Sequence, residues 1–327
     1  MDNFTHSLAG WALGQTGLKR KTRKGLAALV LGANMPDIDV FFSWVPWEPL
    51  AMHRGFTHGL VGGVLLMPPI LAWLLWLLDR WQLRRGASFK SGLEMRFGWL
   101  VALSYAGAIT HPLLDWQNSY AVQLLSPYSD LWFHNDSLFI IDVWIWCGLA
   151  FAIWLSRRRE RRGDAQWGVP PAIALLTVVA YISANAAITG AAKAAPTYAA
   201  PYVTPDRIFV TPEPVLFWRR NLTWKKDGHV AWGEFDPLRK SGGLLSYTPA
   251  MPDNLSDPLV RQAMTANDDV EDFLQWSTMT VAEVERGDCT AIVRFGDARF
   301  AGRAAGQFTR TVTLPLSGTG CPSPASD

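Results

Sequence analysis

The sequence predicts an α-helical integral membrane bundle of four spans plus an N-terminal short helical hairpin, followed by a C-terminal extracytoplasmic α+β domain. Three observations carry this expectation. Uncharged runs reach the length of a hydrocarbon crossing, basic residues gather in three clusters, and the chain turns polar and proline-rich near residue 196. The composition agrees: 327 residues, 49% hydrophobic, 18% charged and 17 Trp exclude a disordered or collagen-like chain. A net charge of +2 gives no support to a nucleic-acid partner. Three Cys exclude a disulfide-dense scaffold.

In chain order, FTHSLAGWALGQTG and GLAALVLGANM are apolar but short, each about 16–20 Å of helix. Lys19, Arg20, Lys21, Arg23 and Lys24 separate them, and Asp2 and His6 come before the apolar stretch, which argues against a secretory signal. A short helical hairpin, half-inserted or packed inside the bundle, is expected, because short elements at membrane depth persist only when buried in protein. Residues 59–78 carry no charge over 20 positions and form the first full span. Residues 97–114, 138–156 and 169–190 follow as candidates, the first of these containing His111 and the second Asp142. Pro196, Pro201, Pro205, Pro212 and Pro214 then mark a linker and turns, dividing a membrane domain (1–195) from a soluble domain (196–327). Strands are expected at 207–218, 289–295 and 308–314, with an amphipathic helix near 257–276. Trp218, Trp224 and Trp232 read as part of a β core.

Within residues 1–195, every Lys and Arg except Arg54 and Lys193 falls in the clusters 19–24, 80–96 and 157–162. With four spans these clusters share one side, which the positive-inside rule makes cytoplasmic. The opposite face then carries Asp37, Asp39, Glu48, Asp115, Asp130 and Asp136, and the soluble domain lies outside. There Cys289 and Cys321 can pair, while Cys147 reads as a small buried residue within a span.

Five of the six His fall in the first 134 residues, and the span arithmetic brings them to the same face as the acids. In NMPDID, Asp37 and Asp39 are expected on one side of an extended turn, either binding a cation or capping the end of a helix. HRGFTH offers His53, Arg54 and His58, read either as a site for an anionic group or as an interfacial anchor. HPLLD places His111 and Asp115 one turn apart on a helix face, where both can reach one metal; the alternative is a terminal Asp with a hydrogen-bonded His. Asp136 is read as the N-cap of the third span, and Asp142, one turn further, as a partner for a ligand His. His6 alone says little, and His229 reads as an exposed turn. Mixed His and carboxylate donors suit zinc, manganese or iron. No GxSxG, Walker, HExxH or dinucleotide fingerprint is present.

The ordered series FTHSLAGWALG, LGANMPDIDV, HRGFTHG, THPLLDWQNSY and LLSPYSDLWFHNDSLFIIDVW resembles the bacterial inner-membrane metal-dependent hydrolases, a family with a LexA-regulated member. The resemblance spans about residues 1–155 and extends loosely through the last two spans. It implies a multi-pass inner-membrane hydrolase with ligands His6, Asp37, Asp39, His58, His111 and Asp115. Asp136 and Asp142 match the family's pattern better than His134 does, and His53 matches less well than His58.

The expected function is therefore hydrolysis at the outer leaflet, on a lipid or lipid-linked (phospho)ester, with one or two divalent ions: zinc first, manganese or iron otherwise. Asp39 or Asp115 is the candidate general base, and Arg54 the stabiliser of a developing oxyanion. The alternative is an ion or small-solute transporter, since buried ionisable residues also mark translocation routes. Membrane lipid is the expected partner. No protein partner is indicated.

Overall fold

The computed structural model describes residues 1–42, 54–195, 204–300 and 308–316. They form two units: 1–189 with 212–218, and the remainder from 190 onward.

The first unit is helical. Helix α1 (Asn3–Gln15) starts at Asp2, whose carboxylate accepts hydrogen bonds from the backbone N–H groups of Phe4 and Thr5. Helix α2 (Gly25–Gly32) follows a basic turn. The two short helices are those expected of the hairpin. Four longer helices follow: α3 (Leu60–Arg84), which opens with a π-helical stretch at Leu60–Leu66, α4 (Phe97–Asp115), α5 (Val143–Arg161) and α6 (Val169–Ala194).

Helix α2 is held by close backbone approach. A Cβ added to Gly10 of α1 would lie 2.6 Å from the Leu29 carbonyl oxygen, and one added to Gly107 of α4 would lie 2.4 Å from the same atom. Small residues on both flanks therefore let α2 settle between its neighbours. Ala28 and Leu29 are fully buried there, beside Leu71, Leu75, Leu100 and Leu103. A second apolar cluster joins Leu8 and Ala12 of α1 to Ile145, Leu149 and Ile153 of α5, with Val178 and Ile182 of α6 packed on it.

Among the described residues, three helices, α3, α4 and α6, are long and apolar enough to cross a membrane. This is one fewer than expected. In α5, Arg157, Arg158, Arg159, Glu160 and Arg161 occupy the last turns, which leaves an apolar stretch over 143–156 of about 21 Å, short of a full crossing. Two further expectations are corrected nearby. Asp142, not Asp136, is the N-cap of α5, accepting from the N–H groups of Trp144 and Ile145 and from the Tyr181 hydroxyl. It therefore stands at the helix start rather than a turn inside. Cys147 is exposed rather than buried, because it lies on the face of α5 away from the packed cluster.

The basic clusters converge at one end of this unit. Lys19 and Arg20 both bind Glu160 of α5. Arg23 forms a two-pronged pair with the buried Asp79 of α3 at 2.7 and 2.8 Å, and Lys24 donates to Gln82. Arg96 N–H donates to the Thr22 hydroxyl, tying in the segment before α4.

The second unit carries two sheets. Strands β1 (Arg207–Pro212), β2 (Arg220–Lys226), β3 (His229–Phe235) and β4 (Leu244–Tyr247) lie in that order, and β5 (Met251–Pro252) also pairs with β3. Asp227 and Gly228, both at positive φ, make the tight β2–β3 turn. His229 is exposed, as read from the sequence. The antiparallel β6 (Thr280–Arg286), β7 (Thr290–Asp297) and β8 (Thr309–Pro315) form the other sheet. The strand expected over 207–218 ends at Pro212, and residues 212–218 group with the helical unit, where the Val215 carbonyl accepts from the Trp144 indole. The helix expected over 257–276 is two: α7 (Pro258–Ala263) capped by Asp257, and α8 (Asp268–Trp276) capped by Asn267. Trp224 is fully buried, and Trp232 packs beside Phe209, Val230 and Met279. Cys289 is disulfide-bonded; Cys321 lies outside the described residues.

A buried ion pair anchors this unit. Arg299 grips Asp297 through Nε and Nη2, both at 2.8 Å, the Ser277 hydroxyl donates to the same carboxylate, and Phe209, Trp276 and Phe300 surround the guanidinium. Burial opposes ionisation of Asp297, but the charge and hydrogen bonds of Arg299 outweigh it and hold the carboxyl below its usual range.

Two expectations follow for stability. Asp79→Asn should destabilise the full chain by about 3 kcal/mol, because it strands Arg23; unfolding in detergent at neutral pH measures this. Asp297 has a depressed folded pKa, so its stabilising contribution is complete above the unfolded value near pH 4 and disappears as pH falls through the lower folded value. Asp297→Asn should flatten that acid limb in a pH series followed by Trp fluorescence.

Candidate metal centre

Four side chains from distant parts of the sequence meet at the end of the bundle away from the basic clusters: Asp37, His58, His111 and Asp115, all buried. Asp37 lies on a 3-10 turn at Met35–Phe42, just after α2. His58 immediately precedes α3, and His111 and Asp115 end α4 on one face, as their spacing requires. Pro36 favours the helical start of the 3-10 turn, so the chain there is not extended as the sequence suggested. With three residues per turn, Asp37 and Asp39 then point in different directions.

The donor atoms are close. Asp37 Oδ1 lies 3.2 Å from His58 Nε2 and 3.4 Å from His111 Nε2. The two Nε2 atoms are 3.0 Å apart, and each is 3.4 Å from Asp115 Oδ2. All four donors lie within 4.8 Å of one another. Metal–ligand bonds of about 2.0–2.1 Å imply adjacent-donor separations of about 3.3 Å in a tetrahedron and about 2.9 Å in an octahedron, and the five separations above fall in that range.

Hydrogen bonds on the far side of each ring support this reading. His111 Nδ1 is 2.7 Å from the Ala33 carbonyl, which can only accept, so Nδ1 carries a proton and a neutral ring presents a lone pair at Nε2. His58 Nδ1 is 3.0 Å from the Thr57 hydroxyl, with Asp39 Oδ2 at 3.9 Å; the same hydroxyl donates to Asp39 at 2.7 Å. Two imidazole lone pairs 3.0 Å apart repel unless a proton or a cation lies between them. Both Asp115 oxygens are buried without a well-aligned hydrogen-bond donor, so the residues present fit a bound cation.

The other expected residues take surrounding places. His6 stacks on His111 with ring centroids 3.7 Å apart, and its Nε2 lies 3.4 Å from Asp115 Oδ1. Both ring nitrogens of His6 are buried without a hydrogen-bond partner. The Met1 amine also contacts Asp115. Asp39 stands behind His58 rather than among the four donors. Arg54 is buried, not an interfacial anchor; its Nη1 donates to Asn118 Oδ1 at 2.8 Å, and its Nη2 lies 3.7 Å from Asp115 Oδ1. Burial lowers its guanidinium to about 10 while Asp37 pulls the other way, so it remains a cation at neutral pH. His134 pairs with Asp136 at 2.9 Å, apart from the four donors, and Asp142 is engaged as a cap. His53 and Glu48 lie outside the described residues.

Asn118, Thr57 and the Ala33 carbonyl were not singled out from the sequence. Asn118 follows Asp115 by three residues within HPLLDWQN, and that proximity was the available signal. A backbone carbonyl leaves no trace in sequence.

Fold and site together define a helical membrane protein with a buried His/carboxylate group able to hold a cation. A family model described as YdjM inner membrane protein matches residues 1–191, and the chain belongs to that family. The match covers the helices that build the site. No curated protein and no solved structure matches the chain.

Purified full-length protein should carry a divalent metal by elemental mass spectrometry. Asp37→Ala and His111→Ala should each lower occupancy by tenfold or more, in line with loss of a ligand, about as much as or more than loss of a supporting residue. Asp39→Asn should reduce it less than either. Retention of metal by the folded Asp37→Ala/His111→Ala double variant would exclude this site.

Proposed function

We propose that this protein is a multi-pass, membrane-embedded metal-dependent hydrolase, working at the end of the bundle opposite its basic clusters. The observation that carries the reading is the buried group of Asp37, His58, His111 and Asp115, with donor atoms spaced as cation ligands. His6, whose Nε2 lies 3.4 Å from Asp115 Oδ1, would help to hold a second ion. When bound, a divalent cation supplies a lowered water pKa and polarisation of the bond to be cleaved. Zinc is the first choice, with manganese or iron next.

The protein's own groups have separable parts. Ala33 holds the His111 ring, and Thr57 with Asp39 holds that of His58, so both present Nε2. Arg54, fixed by Asn118, places a positive charge beside Asp115, where it would stabilise negative charge developing on the substrate. With α5 counted as a fourth, partly shielded crossing, the basic end is cytoplasmic and the site and C-terminal domain are on the outer side. Membrane depth then favours a lipid or lipid-linked phosphoester as substrate. Transport is the alternative reading, but Ala28, Leu29, Leu100 and Leu103 pack an apolar layer that speaks against a polar path along the bundle.

In lipid nanodiscs loaded with zinc or manganese, the wild type should hydrolyse a phospholipid or lipid-linked phosphoester. Arg54→Ala should lower kcat by about 10²-fold while leaving metal content unchanged. Absence of turnover from the metal-loaded protein across a phospholipid panel would count against hydrolysis. Equal turnover of a water-soluble phosphodiester would count against a lipid substrate.

A further inference from the structure

A groove of about 840 Å3 runs between α1 and α5. One part is apolar, walled by Phe4, Leu8 and Trp11 of α1 and by Ile153 and Trp154 of α5. It ends on Arg157, Arg158, Arg161 and Arg162. The helices run parallel here: the Trp146 indole donates to the Thr5 hydroxyl at 2.8 Å, and the Ser156 hydroxyl donates to Gln15 Oε1 at 3.3 Å, ten residues further along both. The groove thus grades from apolar to cationic toward the basic end, away from the metal group.

Nearby carboxylates do not neutralise the arginines that line this groove. Glu160, in their midst, is taken by Lys19 and Arg20, and Asp164 lies 3.8 Å from Arg159. Among the described residues, none of the four groove arginines has a carboxylate within ion-pair reach. Arg157 lies over the Trp11 ring and Arg158 over Trp154, each 5.5 Å from the centroid, so indoles mark the border between the two halves.

We infer that this groove binds an anionic phospholipid, with an acyl chain along Trp11 and Trp154 and the headgroup phosphate on the arginines. A guanidinium fork matches phosphate oxygens, and basic pockets between membrane helices recognise anionic headgroups. Free phosphate would meet the arginines but leave the apolar wall uncovered. A zwitterionic lipid would bring its own cation against them. The lipid bound here is distinct from a substrate at the metal group, and the inference holds whether or not the protein is a hydrolase.

The test is native mass spectrometry of the full chain released from neutral detergent, with phosphatidylglycerol and phosphatidylcholine of identical acyl chains in competition. The wild type should retain phosphatidylglycerol about tenfold over phosphatidylcholine. Arg157→Gln/Arg158→Gln and Arg161→Gln/Arg162→Gln, each checked for a wild-type melting curve, should each reduce that preference about fivefold or more. Arg80→Gln/Arg84→Gln/Arg85→Gln, which removes more charge elsewhere at the same end, should leave it unchanged. Trp154→Ala should weaken both lipids alike. Equal retention of the two lipids by the wild type, preference surviving in both double variants, or displacement by inorganic phosphate would overturn the assignment.

Discussion

Two carboxylates buried against two imidazoles set the terms for the helical unit. Asp37 and Asp115 sit among apolar helix ends, where an unpaired carboxylate costs several kcal/mol. Neutral imidazoles cannot balance two negative charges; the Arg54 guanidinium and the Met1 amine lie beside Asp115, and Asp37 meets the two imidazoles. A cation held among the four donors would offset the carboxylate charge, and the surrounding contacts fit one. The Ala33 carbonyl and the Thr57 hydroxyl hold the imidazoles in place with Nε2 inward, and Asn118 holds Arg54 beside Asp115.

This arrangement depends on α2. It is too short to be stable alone, yet it carries Ala33 and leads into Asp37. Gly10 and Gly107 admit it between α1 and α4 so closely that its Leu29 carbonyl meets both glycine backbones. Placement of Asp37 relative to His111 is therefore a matter of helix packing, and a bulkier residue at either glycine would be felt at the site before it was felt in the membrane-facing surface.

The bundle is polarised along its length. Basic turns knit one end through Glu160 and Asp79, and the His/carboxylate group occupies the other. In α4, Arg96 caps one end and Asp115 closes the other, 19 residues apart and about 28 Å along the helix. Where the groove between α1 and α5 ends, Arg157, Arg158, Arg161 and Arg162 add positive charge beyond what Glu160 and Asp79 neutralise.

Much of this is written in local sequence. Uncharged runs located α3, α4 and α6; the i, i+4 spacing of His111 and Asp115 required one face; and the Asp227–Gly228 pair carries the turn chemistry of the β2–β3 hairpin. Such features depend on residues within one turn of helix or one hairpin, so neighbours in sequence decide them. What only the tertiary structure decided depends on separations of tens of residues. It chose Asp37 over Asp39 as a donor, because the chain after Pro36 coils rather than extends. It made Asp142 the cap of α5, and it put Arg54 beside Asp115 through Asn118. It also placed His6 against the second oxygen of Asp115, a contact between residues 109 positions apart, which no local period encodes and which exists only because α1 and α4 enclose α2.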